Sequence, residues 1–256
     1  MAEEKVRLGG MALPNGVLVH GPTAWGCAVR LPDGSLKTAA ALKPTRAARI
    51  DSPLLRGPAR LLESLLVLPT VRRRLPEARL PFERPGVLVA MLGTAVVVRV
   101  IRGSRLGPAA TELASGLLSV APAALALRGG ELAAYHGAEH ISIGSYEHGE
   151  LRAKEHERCG SHLLAPMIAA SAAANTVASR APLRFRGPAR IAGQVGALGA
   201  ATELFGWMLR HPENRLSRAL ARPGHELQHR LATAEPSADQ LAVAEAALAV
   251  CLELER

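Results

Sequence analysis

The chain has 256 residues, enough for one large domain or two small ones; 48% are hydrophobic, but only 3% are aromatic, so Leu, Ala and Val supply the apolar mass. Thirty-one Lys and Arg against 22 Asp and Glu give a net charge of +9, which suits an anionic membrane face or a nucleic acid. The nucleic-acid reading ranks lowest, because stacking aromatics and a basic recognition helix are missing; three scattered cysteines without a CxxC exclude a disulfide framework and point to a reducing compartment.

The opening "MAEEKVRLGG" is charged and has no apolar core of a signal peptide. Residues 9 to 43 read as a small β-meander: Val17-Leu18-Val19 and Cys27-Ala28-Val29 are β-prone, and Pro32-Asp33-Gly34 is a turn. In "SPLLRGPARLLESLLVLP", Leu54, Leu55, Leu61, Leu62, Leu65 and Leu66 share one helical face, with Arg56, Arg60 and Glu63 opposite. Such a helix lies either in a membrane interface or on the protein's own core.

Four apolar segments follow, Gly86 to Val98, Leu106 to Leu127, His162 to Ser179 and Ile191 to Leu209. None is a clean span of roughly 20 apolar residues, since Arg99, Glu112, Pro122, Gln194 and Glu203 interrupt or bound them. The connectors "RVIRGSR" and "RAPLRFRGPAR" are Arg-rich, as is "RRRLPEARLPFER" before the first segment. The positive-inside rule cannot satisfy all three if every segment spans. Re-entrant hairpins entering from the cytoplasmic side resolve the conflict, and so does a soluble helical core. The last segment, "EPSADQLAVAEAALAVCLELER", is an amphipathic helix with Ser237 as N-cap and Asp239 in its first turn. Cytosolic exposure is the expectation for it.

Between the second and third apolar segments, Ala133 to Leu163 holds five of the nine histidines. His136-Gly-Ala-Glu139-His140 has the H-x-x-E-H spacing of the inverted zincins. On a helix, positions i and i+4 lie on one face, so two imidazoles there can share a divalent ion, and Glu139 can act as general base toward a water beside it. A catalytic zinc needs a third protein ligand. Glu147, His156 and Cys159 are the candidates, ahead of His148 and His162. Glu139 alternatively orients the ligands at a structural site. No GxSxG elbow, P-loop or dinucleotide fingerprint is present, which argues against serine-hydrolase, nucleotide-hydrolase and dehydrogenase chemistry.

The blocks "YHGAEH" (Tyr135 to His140), "YEHG" (Tyr146 to Gly149) and "HERCGS" (His156 to Ser161) resemble the signature of the YqhQ-like proteins, whose blocks read YHGAEHK, YE-x-G and HPRCGT. "GGMALPNGV", "PLLRGPARLLESL" and "PGHELQHRLATAEPSADQLAVAEAAL" fit the same family, so the resemblance covers nearly the whole chain. It implies a multi-pass bacterial membrane protein of unknown function, grouped with predicted metal-dependent enzymes, and a site drawn from His136, Glu139, His140, Glu147, His156 and Cys159. Departures stand at Met11, Asn15, Ile141, Glu157, His225 and Glu226, around the metal-type residues rather than at them.

The expected architecture is mainly α with a small N-terminal β-meander, α+β overall. Residues 1–50 form the β element, 51–222 a membrane-embedded helical core containing a His-rich loop 133–162, and 223–256 a C-terminal amphipathic region. The expected protein sits in the cell membrane with its His-rich loop and termini cytoplasmic, binds a divalent metal (zinc first), and acts on an unknown substrate or protein partner. The leading function is a zinc hydrolase with His136 and His140 as ligands and Glu139 as base. A non-catalytic scaffold whose metal or hydrogen-bonded His/Glu cluster fastens the loop is the alternative; a closed four-ligand site including Cys159 favours it, an open position facing a cleft favours the enzyme.

Overall fold

A computed structural model describes residues 5–45, 47–127 and 130–255. Strands β1 (Gly9–Leu13), β2 (Gly16–His20), β3 (Ala24–Arg30) and β4 (Leu36–Leu42) form an antiparallel meander in sequential order. Because side chains alternate across a strand, the sheet has two apolar faces. Leu13, Leu18, Trp25, Cys27 and Val29 point to one, where α1 (Arg56–Arg74) covers them with Val67, Leu68 and Val71. Val17, Val19 and Ala28 point to the other, against α5 (Glu131–His148) and α9 (Ala238–Glu255), which add Tyr135, Ala138, Ile143, Val243, Ala244, Ala247 and Cys251.

The C-terminal helix is therefore part of the core. Its start is capped as the sequence predicts: the Ser237 hydroxyl accepts from the Gln240 N–H (3.2 Å), and the Gln240 side chain accepts from the Ser237 N–H (2.9 Å).

Helix α1 inverts one expectation. Its leucine face (Leu61, Leu62, Leu65, Leu66) is exposed, and Glu63, assigned to the polar face, is buried. Glu63 has a reason to be there: it accepts from the Lys43 ammonium at 2.9 Å and from the Ala47 N–H at 2.7 Å. Both charges of the pair are nearly sealed from water.

The apolar segments become two helical hairpins. The first is α2 (Pro85–Gly103) with α3 (Pro108–Ser119) and α4 (Ala121–Leu127), bent where Pro122 opens a new helix. The second is α6 (Leu164–Ser179) with α7 (Arg186–Arg210). The hairpins pack on each other through α3 and α6, where Glu112 accepts from Asn175; Glu112 also accepts from Arg102 within the first hairpin, and Gln194 from Ser171 within the second. Two stretches, Pro85–Gly103 and Ala109–Leu127, are long and apolar enough to cross a membrane. Of α2 only Val87 is buried, while Leu88, Val89, Leu92, Val96 and Val100 are all at least half exposed. Val87, Ala126 and Leu132 pack together, so α2 starts and α4 ends against α5. Helix α8 (Arg215–Leu227) and a π-helical turn, Gln228–Ala232, lead back to the core.

Candidate metal centre

The stretch expected as a loop from 133 to 162 is helical through His148. Helix α5 is buried on nearly all sides, which its Ala, Gly and Ser content permits, since small side chains let the sheet and α9 approach closely. Gly149 ends it with φ +77°, the left-handed conformation that glycine adopts without strain, its N–H bonding back to Ser145. Residues 150–159 then run back along the helix as irregular chain to Cys159.

His136 and His140, one turn apart on α5, have ring centroids 4.3 Å apart. Each ring is aimed by a backbone carbonyl. The Nδ1–H of His136 donates to the Ala232 carbonyl at 2.8 Å and that of His140 to the Lys154 carbonyl at 2.6 Å. A carbonyl only accepts, so both rings carry the proton on Nδ1 and present the Nε2 lone pair to the site. This is the arrangement by which second-layer acceptors orient metal-binding imidazoles. Burial keeps His140 neutral, its pKa held down to about 2, with the neighbouring His136 adding to the shift.

Cys159 closes the group. One ligand atom from each of His136, His140 and Cys159 lies within 4.8 Å of the others, and Cys159 Sγ is 3.7 Å from His136 Nε2. Tetrahedral zinc with bonds of about 2.3 Å to sulfur and about 2.05 Å to nitrogen sets an S···N edge of about 3.6 Å. The observed S···N edge meets that, and the remaining separations close with shifts on the order of 1 Å against the same bond lengths. Burial raises the thiol pKa, so ionising it as a ligand needs a cation beside it.

Glu139 is 6% exposed, and its Oε2 stands 3.8 Å from His136 Nε2 and 3.9 Å from His140 Nε2. Burial pushes its pKa up to about 7, against the opposing pull of His136. Strand β1 passes so close that a Cβ on Gly10 would lie 2.4 Å from Glu139 Oε1. Glycine is thus required there for the sheet to pack against the carboxylate.

The other two expected ligands form a different group. His156 Nδ1 accepts from the Arg158 N–H at 3.3 Å, which leaves Nε2 as the protonated nitrogen, 3.4 Å from Glu147 Oε2. Glu147 also pairs with the Arg158 guanidinium. His148 is spent on the Gly144 carbonyl, and His162 lies 3.3 Å from the Gln228 amide. Cys159 brings a ligand atom to the two imidazoles; the His156 ring lies beside that of His140, 5.5 Å between centroids, but outside the group whose ligand atoms converge, as does Glu147.

One support went unmarked in the sequence. Gln228 is fully buried; it accepts from the His156 N–H (2.8 Å) and donates to the His156 carbonyl (3.2 Å) and the Ser161 hydroxyl (2.8 Å), clamping the segment that carries Cys159. It opens the π-helical turn that turns the Ala232 carbonyl toward His136. The only signal was the block "PGHELQHRLATAEP", in which nothing distinguishes one amide from its neighbours.

The site faces a cleft of about 530 Å³ between β1, α4 and α5. Residues 131–254, from α5 to the end of α9, match the model of a family described as "Protein of unknown function (DUF1385)". All three grouped residues, Glu139 and Gln228 fall inside that match. The family's description assigns no chemistry. No curated protein and no solved structure matches the chain.

Proposed function

We propose that the chain is a membrane-associated hydrolase dependent on a divalent metal, zinc first, held by His136, His140 and Cys159. The observation that carries this reading is the convergence of two carbonyl-oriented imidazoles and a thiol on one point, with a buried carboxyl beside it. Three protein ligands facing a cleft leave a fourth position open, as hydrolytic zinc sites do and closed structural sites do not. A bound zinc would supply Lewis acidity and favour ionisation of water at neutral pH. The chain's own residues do the rest. Ala232 and Lys154 fix the imidazole tautomers through their carbonyls. Glu139 takes a proton at Oε2 and returns it to the leaving group, the general acid–base task open to a buried carboxyl beside both imidazoles. The apolar cleft wall limits bulk water.

Membrane association is supported by the exposed apolar side chains of α2 and by the exposed leucine face of α1. The two candidate spans begin and end beside α5, so if they cross a bilayer the site would stand at one edge of it. The resemblance to YqhQ-like membrane proteins supports the same reading, as does a reduced cysteine set for a site and termini on the cytoplasmic side.

Three variants test the assignment, with metal content and complementation of a gene deletion read side by side. His136→Ala and His140→Ala are expected to lose the metal. Glu139→Gln keeps volume and a polar head without proton acceptance, so it is expected to fold, hold stoichiometric metal and fail to complement. A fully functional Glu139→Gln protein would defeat the catalytic assignment and leave a structural site standing.

A further inference from the structure

The cleft at the metal centre is lined by two kinds of side chain. His136, Glu139, Arg158 and Cys159 supply polar groups at the metal centre and His20 adds one from β2, while Ala12 of β1, Ala126 of α4 and Leu132 of α5 form an apolar wall. That wall is continuous with a candidate span, because Ala126 lies in the last turn of the stretch Ala109–Leu127. Its volume of about 530 Å³ is that of a site for a small molecule rather than a chain segment or a lone ion. A sugar or nucleotide would leave polar groups against this wall without partners, which is unfavourable, whereas an alkyl chain would be withdrawn from water along it.

We propose that the cleft binds a single-chain amphiphile, its polar head at the metal centre and its apolar chain against Ala12, Ala126 and Leu132. This rests on the metal assignment above and adds the substrate class to it. Chain length then becomes the measurable quantity, since each buried methylene tightens binding by about fourfold. A tryptophan at Ala12 or Ala126 would occupy the chain's place, and neither position is one of the ligand residues.

The test uses full-length protein in lipid nanodiscs, loaded with cobalt, and two metal-chelating probes that differ only in the chain, acetohydroxamate and octanohydroxamate. Binding is read by calorimetry and by the cobalt spectrum. Octanohydroxamate is expected to bind wild type at least about 10²-fold more tightly, some three to four buried methylenes' worth. Ala12→Trp, or Ala126→Trp should the first fail to fold, is expected to cut that advantage below tenfold while acetohydroxamate binding and metal content stay unchanged. Equal affinity of wild type for the two probes overturns the amphiphile assignment, as does an advantage that survives both substitutions. A cobalt spectrum unmoved by either probe overturns the open metal position instead, and calorimetric chain-length dependence then still decides the cleft.

Discussion

Replacing Cys159 by serine removes the one sulfur from the candidate ligand set and little else, since the side chains are nearly isosteric. The free energy of zinc binding at four-ligand sites, about 10–16 kcal/mol, divides into about 2.5–4 kcal/mol per ligand. A hydroxyl that does not ionise forfeits most of that share. The expected loss in metal affinity is therefore on the order of 10²–10³-fold. His156→Ala is the matched control. The His156 ring lies tilted beside that of His140, with ring centroids 5.5 Å apart, but its nitrogens are turned to the Arg158 N–H and to Glu147. It acts on the ligands only through packing, so its removal is expected to cost about tenfold, the low end for supporting residues. Cobalt substitution distinguishes the two directly: wild type and His156→Ala should show a thiolate-to-cobalt charge-transfer band, and Cys159→Ser should not. Chelator competition gives the affinities. A band that persists in Cys159→Ser, or metal lost from His156→Ala but not from Cys159→Ser, would refute the choice of third ligand.

Two further outcomes concern the body that holds the site. Glu63→Ala strands the Lys43 ammonium, 3% exposed, in the core, and breaking a buried pair from one side is expected to cost about 3–5 kcal/mol in urea unfolding; a loss under about 1 kcal/mol would mean that water reaches the pair. His20, facing Lys43 and Glu63, has its pKa lowered from 6.5 to about 4, by burial first and by Lys43 second. The folded state thus binds fewer protons than the unfolded one between those values, so stability is full above about pH 6.5 and falls by up to about 3 kcal/mol toward pH 4. His20→Gln should flatten that slope, and an unchanged slope would place its origin elsewhere.

How much of this was legible in the sequence follows from the range over which each interaction acts. The β-meander, the Ser237 cap and the i, i+4 pairing of His136 with His140 depend on residues a few positions apart, and pattern alone reaches them. The leucine stripe of α1 was equally plain, but its direction was not. Helical periodicity reports that one face is apolar and says nothing about what lies opposite, here the sheet, Lys43 and the Ala47 N–H, which together make room for Glu63 inside. The same holds for α9, whose apolar stripe finds β2 and β3 more than 200 residues earlier in the chain.

The third ligand shows the limit most sharply. Glu147, His156 and Cys159 all follow the H-x-x-E-H motif within reach of a loop, and their chemistry ranks them about equally as zinc ligands. What separates them is where the chain turns back. Gly149 ends α5 one turn beyond Ser145, and from there the return path is fixed by Gln228, which grips both backbone groups of His156 from 72 residues away. With His156 held there, its ring is committed to Arg158 and Glu147, and three residues later the chain delivers Cys159 beside His136. A single amide on another element thus selects the sulfur.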